Sequence, residues 1–174
     1  MGTLQKLSTT DWAVLAALLD QPSYGFRIAA LFAPSGDLGH IWRIQRTQVY
    51  RALEHLEACG LVAVVRQEEG QVGPPRTLFA LTEDGRSSAL SWLYTPVTRL
   101  RYGRSDLRLK IAFLMRLEQD VRPLLQAQQK VYRTMLYELM AQRPGAQGVQ
   151  AVSLLWRIEM AKASLRFIAQ LLRD

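Results

Sequence analysis

The sequence predicts a mainly α-helical chain with one small β-hairpin, divided into an N-terminal domain over residues 1–95 and a helical domain over residues 96–174. Three observations carry this. Apolar residues recur at three- and four-residue spacing in three short segments before Gly60. Two runs rich in β-formers, residues 61–67 and 76–81, flank a turn containing two glycines and two prolines. After Pro96 strand signals cease, and long, charged, amphipathic stretches follow.

The first element is signalled by Ser8 with Asp11 three residues on, a pair resembling a capping box, and by Trp12, Leu15, Leu18 and Leu19 at helical spacing before Pro22. Tyr24, Ile28, Leu31 and Phe32 predict a second helix, closed by Pro34. A third begins near Gln45 on the buried stripe Val49, Leu53 and Leu56 and is stopped by Gly60. It runs directly into the strand 61–67, the turn 69–75 and the strand 76–81. Thr82 then caps a helix over about 83–93, with Glu83 and Asp84 in its first turn, where acidic groups suit the helix dipole. Three short helices feeding a two-stranded hairpin form a winged helix-turn-helix.

In the second domain, Val121, Leu125, Gln128, Tyr132, Met135 and Leu139 follow a heptad-like spacing. Arg143, Pro144, Gly145 and Gly148 interrupt it. Leu154, Ile158, Ala161, Leu165, Ile168 and Leu172 then repeat the spacing in a last helix. Stripes of this kind serve either ordinary helix packing or a partner. With no sheet to cover them, these residues are expected to pack against a second copy of the chain as a homodimer.

The 174 residues, 49% of them hydrophobic, suffice for one or two domains with a real core. The apolar stretch 12–19 is too short for a signal peptide core or a membrane span, so a cytoplasmic protein with no membrane partner is expected. One cysteine, Cys59, excludes an internal disulfide and a multi-cysteine metal site. With two histidines, His40 and His55, and no Gly-rich phosphate loop, the chain carries no constellation for catalysis; no enzyme activity, metal or cofactor is expected.

The formal charge of +7 is unevenly spread. Residues 1–98 hold eight Lys and Arg against nine Asp and Glu, whereas residues 99–174 hold fourteen against six. The basic excess therefore lies outside the candidate reading head, and the case for nucleic acid rests on local placement. On the third helix, steps of roughly 100° turn Thr47, Gln48 and Arg51 away from the apolar stripe and leave Arg46 at the exposed first turn. Such side chains can hydrogen-bond base edges and phosphates in a major groove; a merely solvated face uses the same residue types. Arg43 and Arg76 fall where phosphates would lie, while Glu54 and Glu57 are expected farther from the groove. Gly73 and Pro74 belong to a hairpin tip that glycine tightens and proline stiffens, which lowers the entropy lost on docking.

The succession Pro22-Ser23-Tyr24-Gly25, then Tyr50, Leu53, Leu56-Glu57 and Gly60-Leu61-Val62, then Gly73-Pro74-Pro75-Arg76, then Leu81-Thr82 with Gly85, resembles the PadR-like transcriptional regulators. The resemblance covers residues 8–93. After it, Arg108-Leu109-Lys110 and Phe113 resemble the virulence-activator type of C-terminal domain found in one branch of that family. It implies a dimer whose winged heads read two half-sites of a palindromic operator in double-stranded DNA, in most members as a repressor, with release in some by phenolic acids or hydrophobic drugs. It also implies that Tyr50 lies near a phosphate and that residues 73–76 form the wing. Thr77 and Phe79 depart from the family pattern there.

Four tryptophans, Trp12, Trp42, Trp92 and Trp156, offer surface for a planar ligand. Trp92 and Trp156 are the expected contacts of a small aromatic or hydrophobic effector. The competing function is a winged-helix adaptor or sensor that docks protein rather than DNA. Polar Arg46 and Arg51 discriminate against it, because a protein-docking face exposes apolar anchors.

Overall fold

The structure, a computed structural model, describes residues 7–68 and 76–173. The chain forms two compact units, one of residues 1–93 with 109–119 and one of residues 94–108 with 120–174. Residues 109–119 thus pack with the head, not with the tail in which a single boundary near residue 95 had put them.

The head begins with α1, Thr9–Ala16. Asp11 accepts a hydrogen bond from the Ser8 backbone N–H at 2.8 Å, and the Ser8 hydroxyl accepts one from the Asp11 N–H at 3.1 Å, which closes the expected capping box. Ala13, Val14, Leu15, Leu18 and Leu19 are buried beside it. A two-residue strand, β1 (Ser23–Tyr24), precedes α2 (Gly25–Leu31). Tyr24, read above as the start of the helical stripe, is instead the residue before α2 and pairs with Leu78. Two residues carry no alternation, so this third strand left no periodic signal in the sequence.

Helix α3, Arg46–Ala58, buries Val49, Ala52, Leu53 and Leu56. Gly60 ends it in the left-handed region at φ 72°, which a side chain disfavours, and Leu61 N–H reaches back to Leu56 O at 2.9 Å. β2 (Val62–Glu68) and β3 (Arg76–Leu81) pair antiparallel in a three-stranded sheet of order β1-β3-β2. A bulge lies between Val64 and Arg66. The Thr82 hydroxyl accepts from Gly85 N–H at 3.0 Å and donates to Gly60 O at 2.8 Å, tying the start of α4 (Glu83–Tyr94) to the end of α3. Gly85 permits this: a Cβ there would meet the Leu61 carbonyl oxygen at 1.8 Å. From Leu109 onwards, α5 (Asp106–Arg116) belongs to the head, where Phe113 meets Phe32 edge-on at 6.5 Å between ring centres.

The tail is built on α6, Arg122–Gln142, and α7, Gly148–Leu171, which pack along each other and are joined by a short link containing a 3-10 turn, Arg143–Gly145. Leu139, Leu154 and Ile158 form a buried cluster flanked by Leu100, Met135 and Leu136. Gln128 is fully buried, and its amide forms two hydrogen bonds with the backbone of Val97, accepting at 2.7 Å and donating at 2.9 Å. A polar seam position is thereby satisfied within one chain, as burial requires. The Tyr132 hydroxyl lies under a second 3-10 turn, Leu100–Gly103, whose Gly103 leaves it room. Buried without a hydrogen-bond partner among the described residues, it has its pKa pushed up to about 12 by loss of solvent.

Candidate nucleic-acid interface

The stripe Val49, Ala52, Leu53 and Leu56 fixes the rotation of α3 in the head, and that rotation decides what faces outwards. Thr47 and Arg51 sit diametrically opposite the stripe and are exposed, with Glu54 on the same line farther along. Gln48 is exposed on one flank and Arg46 on the other. The Gln48 carbonyl oxygen accepts from the Gln45 N–H at 2.9 Å, so the side chain already satisfies one of the unpaired donors at the start of α3. A bidentate contact to adenine, which needs both ends of the amide, requires that cap to open; Arg51 has no such tie among the described residues.

Tyr50 is half-buried, and its ring lies against Gly25 at the start of α2, where a Cβ would come within 2.7 Å of it. The Arg46 guanidinium stands over the same ring, 5.7 Å from its centre. Glycine at position 25 and tyrosine at 50 therefore work as a pair: close approach of α2 sets the ring, and the ring carries Arg46. Arg43 is exposed ahead of α3.

At the turn end of β2 and β3, a cluster the sequence had not revealed ties the two strands to β1 and α2. The Tyr24 hydroxyl donates to Glu68 at 2.8 Å, Arg66 pairs with the other oxygen of Glu68 at 2.6 Å, and Arg76 stands over the Phe26 ring at 5.6 Å. The Tyr24 hydroxyl and the Glu68 carboxylate hold the Arg66 pKa above its ordinary value. Arg76 is exposed at the start of β3. Gly73 and Pro74 lie outside the described residues.

A family model, the transcriptional regulator PadR-like family, matches residues 14–90, which run from within α1 through α3, β2 and β3 into α4. Those residues are similar to that family. The Mycobacterium tuberculosis protein named probable transcriptional regulator Rv1176c is 30% identical over 95 residues, which are 54% of this chain and 48% of that protein. The match thus spans about half the length of that relative. Among solved structures, Bacillus subtilis PadR in complex with operator DNA has a TM-score of 0.48 at 19% identity, covering 93% of this chain and 97% of that one. The Vibrio cholerae virulence activator AphA has a TM-score of 0.42 at 20% identity, covering 94% and 96%.

Outside α3, two expectations need correction. Of the residues assigned to self-association, Leu125, Tyr132, Leu139, Leu154, Ile158 and Ile168 are buried inside one chain, and Val121, Met135, Leu165 and Leu172 are half-buried. The stripes of α6 and α7 cover each other, so they are not free for a partner. Trp92, assigned to an effector, is a core residue of the head: it is 9% exposed, stacked on Trp12 at 5.7 Å with planes 3° apart, and the Lys110 ammonium stands 4.9 Å from its ring. Trp156, on α7, is 69% exposed. Among the described residues no helix is long and apolar enough to cross a membrane.

Proposed function

We propose that the chain is a sequence-specific transcriptional regulator that reads duplex DNA with the outward face of α3. The observation that carries this reading is the pair Thr47 and Arg51, exposed opposite Val49, Ala52, Leu53 and Leu56 with no large apolar side chain beside them on that line. A guanidinium there can engage a guanine edge in bidentate fashion. Arg46 and Arg43 take backbone phosphates, as does Arg76 at the wing. Glu54, one turn beyond Arg51, repels phosphate and sets how deep the helix enters. A protein-docking face would expose aromatic or aliphatic anchors, and this one exposes none.

Two copies act together on a palindromic operator, and the outer face of α7 joins them. Val149, Val152 and Phe167 fall on one line opposite the buried stripe, with Val149 87% and Val152 70% exposed. An apolar row on a helix of about 36 Å at 1.5 Å per residue can pack against its own copy in an isologous two-fold contact. Bound across a promoter in the cytoplasm, the dimer acts as a repressor. A small hydrophobic or phenolic effector relieves it by binding more tightly to the DNA-incompetent arrangement than to the competent one.

Selection of bound fragments from a random duplex pool tests this reading. A palindromic consensus with two equivalent half-sites is the expected result. Recovery of unselected sequence, with affinity that depends on salt alone, would remove sequence-specific regulation.

A further inference from the structure

In the tail, the 3-10 turn Leu100–Gly103, α6 and α7 enclose a cleft of about 740 Å³, within the roughly 300–1,000 Å³ typical of small-molecule sites. Two kinds of wall line it. Leu100, Met135, Met160 and Trp156 supply an apolar side. Arg99, Arg101, Arg104 and Arg157 supply four guanidinium groups, against one carboxylate, Glu138.

The charge is uncompensated. Among the described residues none of these four arginines forms an ion pair, whereas Arg116 pairs with Asp37 at 2.8 Å and Arg66 with Glu68 at 2.6 Å in the head. Arg101 finds only its neighbour Tyr102, at 3.2 Å from the hydroxyl and 5.0 Å from the ring centre. Like charges gathered at one opening repel, and an anion seated among them relieves that repulsion. A guanidinium fork matches the two oxygens of a carboxylate or phosphate. The apolar wall meanwhile asks for a hydrocarbon body beside the acidic head.

We propose that this cleft binds a small amphiphilic anion, a carboxylate or phosphate ester carrying an aromatic or acyl body. The acidic group sits among Arg99, Arg101, Arg104 and Arg157, and the body lies against Leu100, Met135, Met160 and Trp156. Among hydrophobic and phenolic molecules, the same charges favour those that carry an acidic group and disfavour cations. The inference deepens the effector reading and rests on it only for its regulatory consequence, because binding to the tail needs no DNA.

Calorimetric titration of the full chain without DNA tests it with one ring in three charge states: 1-naphthoate, naphthalene-1-methanol and 1-naphthylmethylammonium. Decanoate against decanol separates an acyl ligand from an aromatic one. The acids are expected to bind roughly tenfold or more tightly than their neutral partners, the size of one lost hydrogen bond to a charged group. Arg104→Gln and Arg157→Gln, singly and together, should erase that preference while circular dichroism and the thermal melt stay unchanged. Equal affinity for the three naphthalenes, or acid binding that survives the double variant, overturns the proposal. So does displacement of naphthoate by random-sequence duplex DNA, which would make the arginines a phosphate-backbone surface. If no acid binds while an operator is still selected, the site fails and the regulator stands. If acids bind without altering operator affinity, the site stands and the effector role falls.

Discussion

Helices α3 and α7 are each built on one buried apolar stripe, and they differ in what lies on the opposite side. Opposite its stripe α3 carries Thr47, Arg51 and Glu54, whereas α7 carries Val149, Val152 and Phe167. A helix polar on its far side can rest in water and meet a polar partner. A helix apolar on both sides is half-finished in a single chain. The contrast separates two uses of one periodicity: the inner stripe holds the unit together, and the outer face determines what the unit meets.

Substitutions that set the two sides of α7 against each other should have the largest effect. Ile158→Ala, in the fully buried stripe, is expected to cost about 2–5 kcal/mol in urea denaturation of the isolated chain. Val149→Ala, on the outer face, should change stability by less than about 0.5 kcal/mol. Equal losses at both positions would show that the two faces are not distinct. A charge introduced at Leu125 should likewise unfold the tail rather than release folded monomers.

Self-association sharpens the contrast further. Val152→Glu together with Phe167→Glu should leave circular dichroism unchanged and convert the sedimenting species from dimer to monomer. An unmodified chain that sediments as a monomer at micromolar concentration would break the assignment of the outer face.

The smallest expected effect concerns Tyr132, on the inner side of the tail. Its hydroxyl is buried without a partner among the described residues, so Tyr132→Phe should be neutral or stabilising by up to about 1 kcal/mol. In the unfolded chain this phenol ionises near its ordinary value of 10.0, whereas the folded chain holds the proton up to about 12. Stability is therefore complete below pH 10.0 and falls as pH rises towards about 12. A variant lacking the hydroxyl should lose less stability across that interval, and an unchanged pH profile would contradict the assignment.

Much of the head was legible in the sequence because its signals are local. The Ser8–Asp11 capping box, Gly60 at positive φ and Thr82 capping α4 are each decided within a few residues, and the structure forms all three. The outward placement of Thr47 and Arg51 followed from the stripe of α3 alone. The cluster of Tyr24, Phe26, Arg66, Glu68 and Arg76 escaped notice because it joins residues 44 and 50 positions apart through a strand too short to alternate. In the tail, spacing revealed that Leu125, Leu139, Leu154 and Ile158 would be buried but not by what: a second helix of the same chain and a second chain leave the same pattern. Counting only the strongest stripe also hid the weaker outer row of α7. The four arginines of the cleft come from the turn and from α7, and only the tertiary structure brings them together.

The central claim is that the far side of α3 reads base sequence. It is tested most directly by anisotropy titration of the unmodified chain and Arg51→Ala against the selected consensus and against consensus duplexes changed at one base pair at a time. The account predicts that Arg51→Ala costs about 1–3 kcal/mol on the consensus and nothing further on the duplex changed at the pair Arg51 reads. A loss of the same size on every duplex would make Arg51 a phosphate contact, and no loss on any would remove the α3 face from recognition altogether.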